Sequence, residues 1–265
     1  MKSYRNLLGT INYSVITFII LVMVIFPIPV LFLDFLLLIN LVFSFLLLLD
    51  VCFSKKRGDY SLFANFLIVF TIVNLSINIV ITRHILTLGE DFFDIVIRSA
   101  VLPLTGLKSD WLTGILVILI VLAAIYLFFI RKIINRMFRI TSFYNQQVKQ
   151  EKTQEIEAQY YTRVITEEEA SDRKDNLASA FDFFGTLEDA IRLLSLYEKF
   201  RLVFIFLNSA GGYFIGTRIK NETANDAFIN YISLAIGSGV LSLVCGIFLA
   251  AAINVFAGRV KTLYP

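Results

Sequence analysis

The sequence predicts an all-α fold, a polytopic membrane bundle of about six spans, rising to eight if re-entrant segments also cross. Three observations carry this. Of the 265 residues, 57% are hydrophobic, 26 of them Phe, and the mean hydropathy is +0.76, values of an integral membrane chain. Apolar runs recur at 11–28, 30–53, 61–82, 112–130, 200–217 and 229–257, each long enough for the roughly 17–25 residues of a spanning helix. Charge is segregated: with the N-terminus inside, the inner segments and Arg201 at the membrane edge carry 19 of the 24 Lys and Arg. That asymmetry orients both termini towards the cytoplasm.

The first two runs are separated by Pro27 and Pro29. Two missing backbone donors break a helix, so the pair reads as two spans joined by a tight turn. No small-residue cleavage site lies between them, so a cleaved leader is not expected. Asp34 then falls in the first turns of the second span, near the positive end of its helix dipole. An intramembrane carboxylate is also a functional candidate, and both readings stand. Residues 88–104 are apolar on one side, with an acidic start and Pro103; they read as interfacial or re-entrant.

Three segments organise the chain: a first membrane half over 1–130, a cytoplasmic helical loop over 131–199 and a second membrane half over 200–265. The loop opens with a basic membrane-edge helix, "RKIINRMFR", then a polar run, "NQQVKQEKTQEIEAQ". Thr166 and Glu169 have capping-box spacing. The helix they start is expected to end at Gly185, a natural C-cap, with Thr186 and Asp189 starting the next. Glu157 reads as a surface helix residue unless the loop closes around a pore.

Polar residues form stripes within the apolar runs. Thr71, Asn74, Asn78 and Thr82 are three and four apart, as are Asn40 and Ser44, so each set shares a helix face. Ser238, Ser242, Gly246, Ala250, Asn254 and Gly258 recur every fourth residue in the last span. Such ridges let helices approach closely and hydrogen-bond; they can also line a water-filled or ion-conducting path. Gly237 and Gly239 are the expected places for this long segment to break. Arg83 is expected to snorkel to the outer interface. Cys52 and Cys245 lie in apolar runs and His84 is the single histidine. No disulfide framework, metal site, cofactor or nucleic-acid partner is therefore expected, and no catalytic constellation appears.

The order of these elements resembles the large export-gate subunit of flagellar and virulence type III secretion systems, the FHIPEP or FlhA-type family. The resemblance runs through "PIPVLFLDFLLLINLVFSFLLLL", "KKRGDYSLF", "NLSINIVITRHIL", "VITEEEASDRK", "DFFG", "FLNSAGGYFIG" and "YISLAIGSGVL". Asp34, Asn40, Ser44, Asp59, Asn78, Arg83, Gly185, Asn208, Gly211, Gly212, Gly237 and Gly239 stand where the family pattern keeps the same residue. The resemblance implies a homo-oligomeric ring in a bacterial inner membrane, working with other export-apparatus subunits and indirectly with exported proteins, and coupling proton flow to export.

The chain departs from that pattern at charged positions. Asn74 replaces an arginine, Tyr197 an aspartate, and Ser238 the aspartate of a Gly-Asp-Gly. Leu243 and Cys245 replace a glutamine and a proline, and Glu157 stands for an aspartate of the loop signature. The departures imply weakened or lost proton coupling. The family's large cytoplasmic domain is expected to be missing beyond Pro265. A stand-alone transporter or channel, and a membrane scaffold without transport, remain as other readings; no internal repeat supports the transporter. Ion-pathway or gate candidates are Asp34, Asn40, Asn74, Asn78, Arg83, Glu157 and Ser238. Structural-motif candidates are Pro27, Pro29, Asp59, Gly185, Gly211, Gly212, Gly237 and Gly239.

Overall fold

A computed structural model of the chain describes Ile25 and residues 28–53, 60–89, 121 and 124–260. Among them the structure is helical, without strands. The runs 11–28 and 112–130 and the segment 88–104 lie wholly or mainly outside the described residues, as do Pro27 and Asp59.

Helix α1 (Val30–Phe53) matches the second apolar run. It starts where the carbonyl of Pro29 accepts the N–H groups of Phe32 and Leu33 at 3.0 and 3.1 Å. Asp34 is the fifth residue of α1, beyond its first turn. Helix α2 (Tyr60–Leu88) outruns its expected end by six residues. It stops at Gly89, whose φ of +60° lies in the left-handed region that only Gly adopts without penalty. Lys220 Nζ closes that end by donating to the Leu88 carbonyl at 2.5 Å.

The basic segment forms α3 (Arg131–Phe143), and the polar run that follows forms α4 (Lys149–Tyr161). A π-helical turn, Tyr144–Val148, joins them. Arg163, at φ 59°, turns the chain. Thr166 then caps α5 (Glu167–Phe206): its hydroxyl accepts from the Glu169 amide at 3.2 Å while the Glu169 carboxylate accepts from the Thr166 amide at 3.1 Å. A π-helical turn, Leu207–Gly211, connects α5 to α6 (Gly212–Arg218). Helix α7 (Ala224–Val260) begins with the Thr223 hydroxyl accepting from the Asp226 amide at 3.2 Å.

Two expected boundaries are corrected. Gly185 does not end a helix, because α5 runs through it to Phe206. Thr186 does not cap a new one; its hydroxyl donates back to the Asp182 carbonyl at 3.0 Å, as a mid-helix threonine does. Likewise Gly237 and Gly239 sit inside an unbroken α7. In both places burial of neighbouring side chains outweighs a helix penalty of about 1 kcal/mol per glycine.

Among the described residues, three helices are long and apolar enough to cross a membrane: Val30–Phe53, Phe63–Leu88 and Ala224–Phe256. Helix α1 packs on α7, and α5 packs along α2. The outer face of α1 presents Leu31, Phe35, Leu38, Val42 and Leu46, as a lipid-facing helix does. Inside, two apolar clusters form. One joins Leu47 and Val51 to Phe63, Leu67, Phe184, Leu194, Leu249 and Phe256. The other joins Leu33 and Leu37 to Ile77, Ile81, Ile85, Tyr231 and Leu234. On α1 and α7 the buried polar residues fall between the two: Asn40 and Ser44, then Ser238 and Ser242. On α2 the two clusters meet at the same level, around Asn74 and Asn78.

Since Gly185 is mid-helix, a Cβ there would meet only Asn145, at an ordinary 3.9 Å. Gly185→Ala is expected to stabilise by up to about 1 kcal/mol, whereas Thr166→Ala should cost about 1 kcal/mol. Thermal unfolding in detergent, with hydrogen exchange over 166–170, checks both. Destabilisation by Gly185→Ala would restore the helix end at that position.

Candidate functional site in the polar layer of the bundle

Asn78 is the hub of the layer. Its amide nitrogen donates to the Asn74 carbonyl at 2.9 Å and to the Tyr197 hydroxyl at 3.1 Å, and its oxygen accepts from Ser242 Oγ at 2.9 Å. Both N–H donors are thus used. One side chain thereby ties α2 to α5 and to α7. Asn74 donates to the Phe70 carbonyl at 2.9 Å and accepts from Asn40 Nδ2 at 2.9 Å, adding α1. Asn40 Nδ2 also reaches Cys245 Sγ at 3.6 Å. The i, i+4 spacing on α2 places both asparagines on the face that meets the other three helices.

Between Asn40, Asn74, Asn78, Ser242 and Cys245 lies a cavity of about 10 Å³, room for about one water molecule. Asn40 Oδ1 is buried there without a hydrogen-bond partner. Amides and hydroxyls of this kind bind helices together without carrying charge, each cross-helix bond contributing on the order of 0.6–2 kcal/mol in a membrane.

Beside the layer sits a pair that the sequence reading passed over. Glu198 and Arg201, one turn apart on α5, form an ion pair with both side chains 2% exposed. Arg201 Nη1 donates to the Ser242 carbonyl of α7 at 3.0 Å. Gly246 leaves the space: a Cβ there would lie 2.6 Å from Arg201 Nη1 and 2.8 Å from Glu198 Oε1. Arg201 is therefore buried in the bundle, against the middle of α7. The i, i+3 spacing of opposite charges was the available signal.

The other candidates fall elsewhere. Asp34 is half-buried on α1 and engaged within the protein, six residues and roughly 9 Å of helix before Asn40. Arg83 does not simply snorkel. Its Nη1 donates to the Ile25 carbonyl at 3.2 Å, the acceptor whose helical donor would be the N–H that Pro29 lacks. His84 reaches the Ile28 carbonyl at 2.8 Å, so two side chains of α2 hold the backbone at Ile25 and Ile28, ahead of α1. Ser238 is buried but donates to the Ala235 carbonyl of its own helix at 3.0 Å, outside the cross-helix network. Glu157 pairs with Lys174 at 2.8 Å on the surface, both nearly half exposed, a contact worth under about 1 kcal/mol.

The glycines pack rather than hinge. Gly212 lies under the Tyr231 ring, and a Cβ on Gly239 would meet Ile205 at 2.9 Å. A Cβ on Gly211 would meet Leu86 at an ordinary 3.6 Å. Asn208, in the π turn, is buried with its Oδ1 unpartnered.

Compared with known proteins, the chain matches the FHIPEP family model over residues 20–263. The chain belongs to the FHIPEP family. It is 31% identical over 237 residues to the flagellar biosynthesis protein FlhA of Treponema pallidum (strain Nichols), covering 89% of this chain and 34% of that protein. It is 31% identical over 238 residues to FlhA of Borreliella burgdorferi, with the same two coverages. Against FlhA of Bacillus subtilis (strain 168) the identity is 24% over 257 residues, 95% of this chain and 37% of that one. The chain thus spans about a third of the length of these relatives. No solved structure matches it.

Two outcomes follow from the geometry. Gly246→Ala is expected to lower the unfolding temperature and the yield of folded protein, because the ion pair must move, whereas Gly211→Ala should be tolerated; size-exclusion profiles of the two variants decide it. Arg201→Leu alone should cost about 3–5 kcal/mol by stranding Glu198, while Arg201→Leu with Glu198→Leu should be close to neutral. A double variant as unstable as the single one would show that the pair contributes more than its mutual neutralisation.

Proposed function

We propose that this chain is a membrane component of a flagellar or virulence type III export gate, a homo-oligomeric ring in a bacterial inner membrane with both termini on the cytoplasmic side. Other export-apparatus membrane subunits are its neighbours, and exported proteins pass it indirectly. The observation that carries this reading is the family match across nearly the whole membrane portion, with the polar layer at the crossing of α1, α2, α5 and α7. The Lys and Arg asymmetry supports the orientation.

Within this reading the polar layer is a latch. It joins four helices through uncharged groups, encloses room for about one water, and sets its one ion pair against a glycine of α7. These features favour a gate component that holds a closed packing over one with an open proton wire through Asn74, Asn78 and Ser242. A residual ion role rests on Asp34, a carboxylate on α1 outside the latch.

Two experiments test assembly and ion role. The tagged chain is purified from its own cells with mild detergent, and co-purifying membrane proteins are identified. Recovery of other export-apparatus subunits supports the gate, and recovery of none of them removes it. In vesicles with a pH-sensitive dye under an imposed potential, Asp34→Asn should leak protons no faster than wild type. A wild type that leaks, with the leak abolished by Asp34→Asn, assigns proton movement to Asp34. A leak that persists in the variant removes Asp34 from the path.

A further inference from the structure

We propose that the groove between α3 and α5 binds the headgroup of an anionic phospholipid. The groove encloses about 650 Å³, within the range of small-molecule sites. Its walls are Ile134 and Phe138 of α3 and Leu193 and Leu196 of α5, and its polar rim holds Arg192 and Lys199. An apolar slot with a cationic mouth complements an amphipathic anion: acyl carbons on the walls, phosphate at the rim.

The charge around it is one-sided. Helix α3 carries Arg131, Lys132, Arg136 and Arg139 and no acidic residue, and all four are exposed. Arg131 lies three residues before Ile134, on the same face of α3. Lys199 is exposed and has no ion-pair partner among the described residues. Arg192 faces Glu188 at 3.5 Å and lies 5.8 Å over the Phe138 ring, so its guanidinium is held at the rim. The acids facing the groove are few. Glu188 is buried and already accepts from Asn145 Nδ2 at 3.0 Å, which leaves Asp189 as the exposed carboxylate at the rim.

Position and charge choose among occupants. Helix α3 directly follows the apolar run 112–130, and clustered cations just beyond an apolar span attract anionic lipid surfaces. The same face of a second copy would bring like charges together, which disfavours it as the occupant. A free phosphate satisfies the rim and leaves the apolar walls unmatched. The lipid satisfies both.

The test uses the full chain reconstituted in phosphatidylcholine vesicles containing a photoactivatable phosphatidylglycerol, with labelled peptides mapped by mass spectrometry. Label is expected within 131–139 and 189–199, and far less with a photoactivatable phosphatidylcholine. Lys199→Gln and Arg131→Gln should each lower labelling roughly five-fold, the contribution of one cation near an anionic lipid. Lys199→Arg should retain it, and Arg218→Gln at the far end of α6 should not change it. Equal labelling by the two lipids overturns the proposal, as does labelling unaffected by Lys199→Gln. Loss of label to excess inorganic phosphate would make this a free-anion site. A photo-crosslinking residue at Leu196 that captures a second copy, with no lipid adduct, would make it a subunit contact.

Discussion

Asn78 is the side chain on which the arrangement of helices depends. In a membrane, apolar surface on a helix gains little by leaving lipid for protein, so helices are specified by close packing and by polar groups that must find partners. Asn78 meets three such demands at once, bonding within α2, to Tyr197 on α5 and to Ser242 on α7. Asn40 and Asn74 extend the same logic to α1. A slide of any one helix by a single residue would carry these groups about 1.5 Å along the axis and rotate them by about 100°. The polar layer therefore sets register, while the apolar clusters on either side supply contact area.

Arg201 and Glu198 work on the same interface by a different route. A buried ion pair adds little net stability, since desolvation offsets the attraction. It does discriminate: the pair sits where α7 offers both a glycine and a carbonyl that can accept. Two devices, one neutral and one charged, thus fix α5 against α7.

Much of this was legible in the sequence. Apolar run length gave α1 to the residue, and the Thr166 to Glu169 spacing gave the start of α5, because both signals are local. The asparagine stripe was legible because period 3.6 needs no knowledge of the partner. What failed was set by tertiary packing. Glycine permits a helix end without requiring one, so Gly185, Gly237 and Gly239 gave no reliable boundary. The ridge from Ser238 to Gly258 was over-read for a geometric reason. Every fourth residue advances about 40° around a helix, so Ser238, Ser242 and Ala250 are buried while Asn254 emerges. The burial of Arg201 was not legible, because it depends on Gly246, some 45 positions away.

The run from Glu167 to Arg218 is helical throughout, interrupted in pattern only by the π turn at Leu207–Gly211. At the standard rise it is a rod of roughly 75 Å, longer than the bilayer is thick. Its Thr166 end stands with the α4 hairpin, its middle carries Tyr197, Glu198 and Arg201, and its far end lies under Tyr231. A rod of that kind is a mechanical lever. Torque applied to the hairpin by anything that grips it is delivered, without an intervening loop to absorb it, to the three side chains that fasten α5 to its neighbours. The wider turn at Asn208, with its unpaired amide oxygen, is the one change of hydrogen-bond pattern between that fastened stretch and the end of the rod under Tyr231.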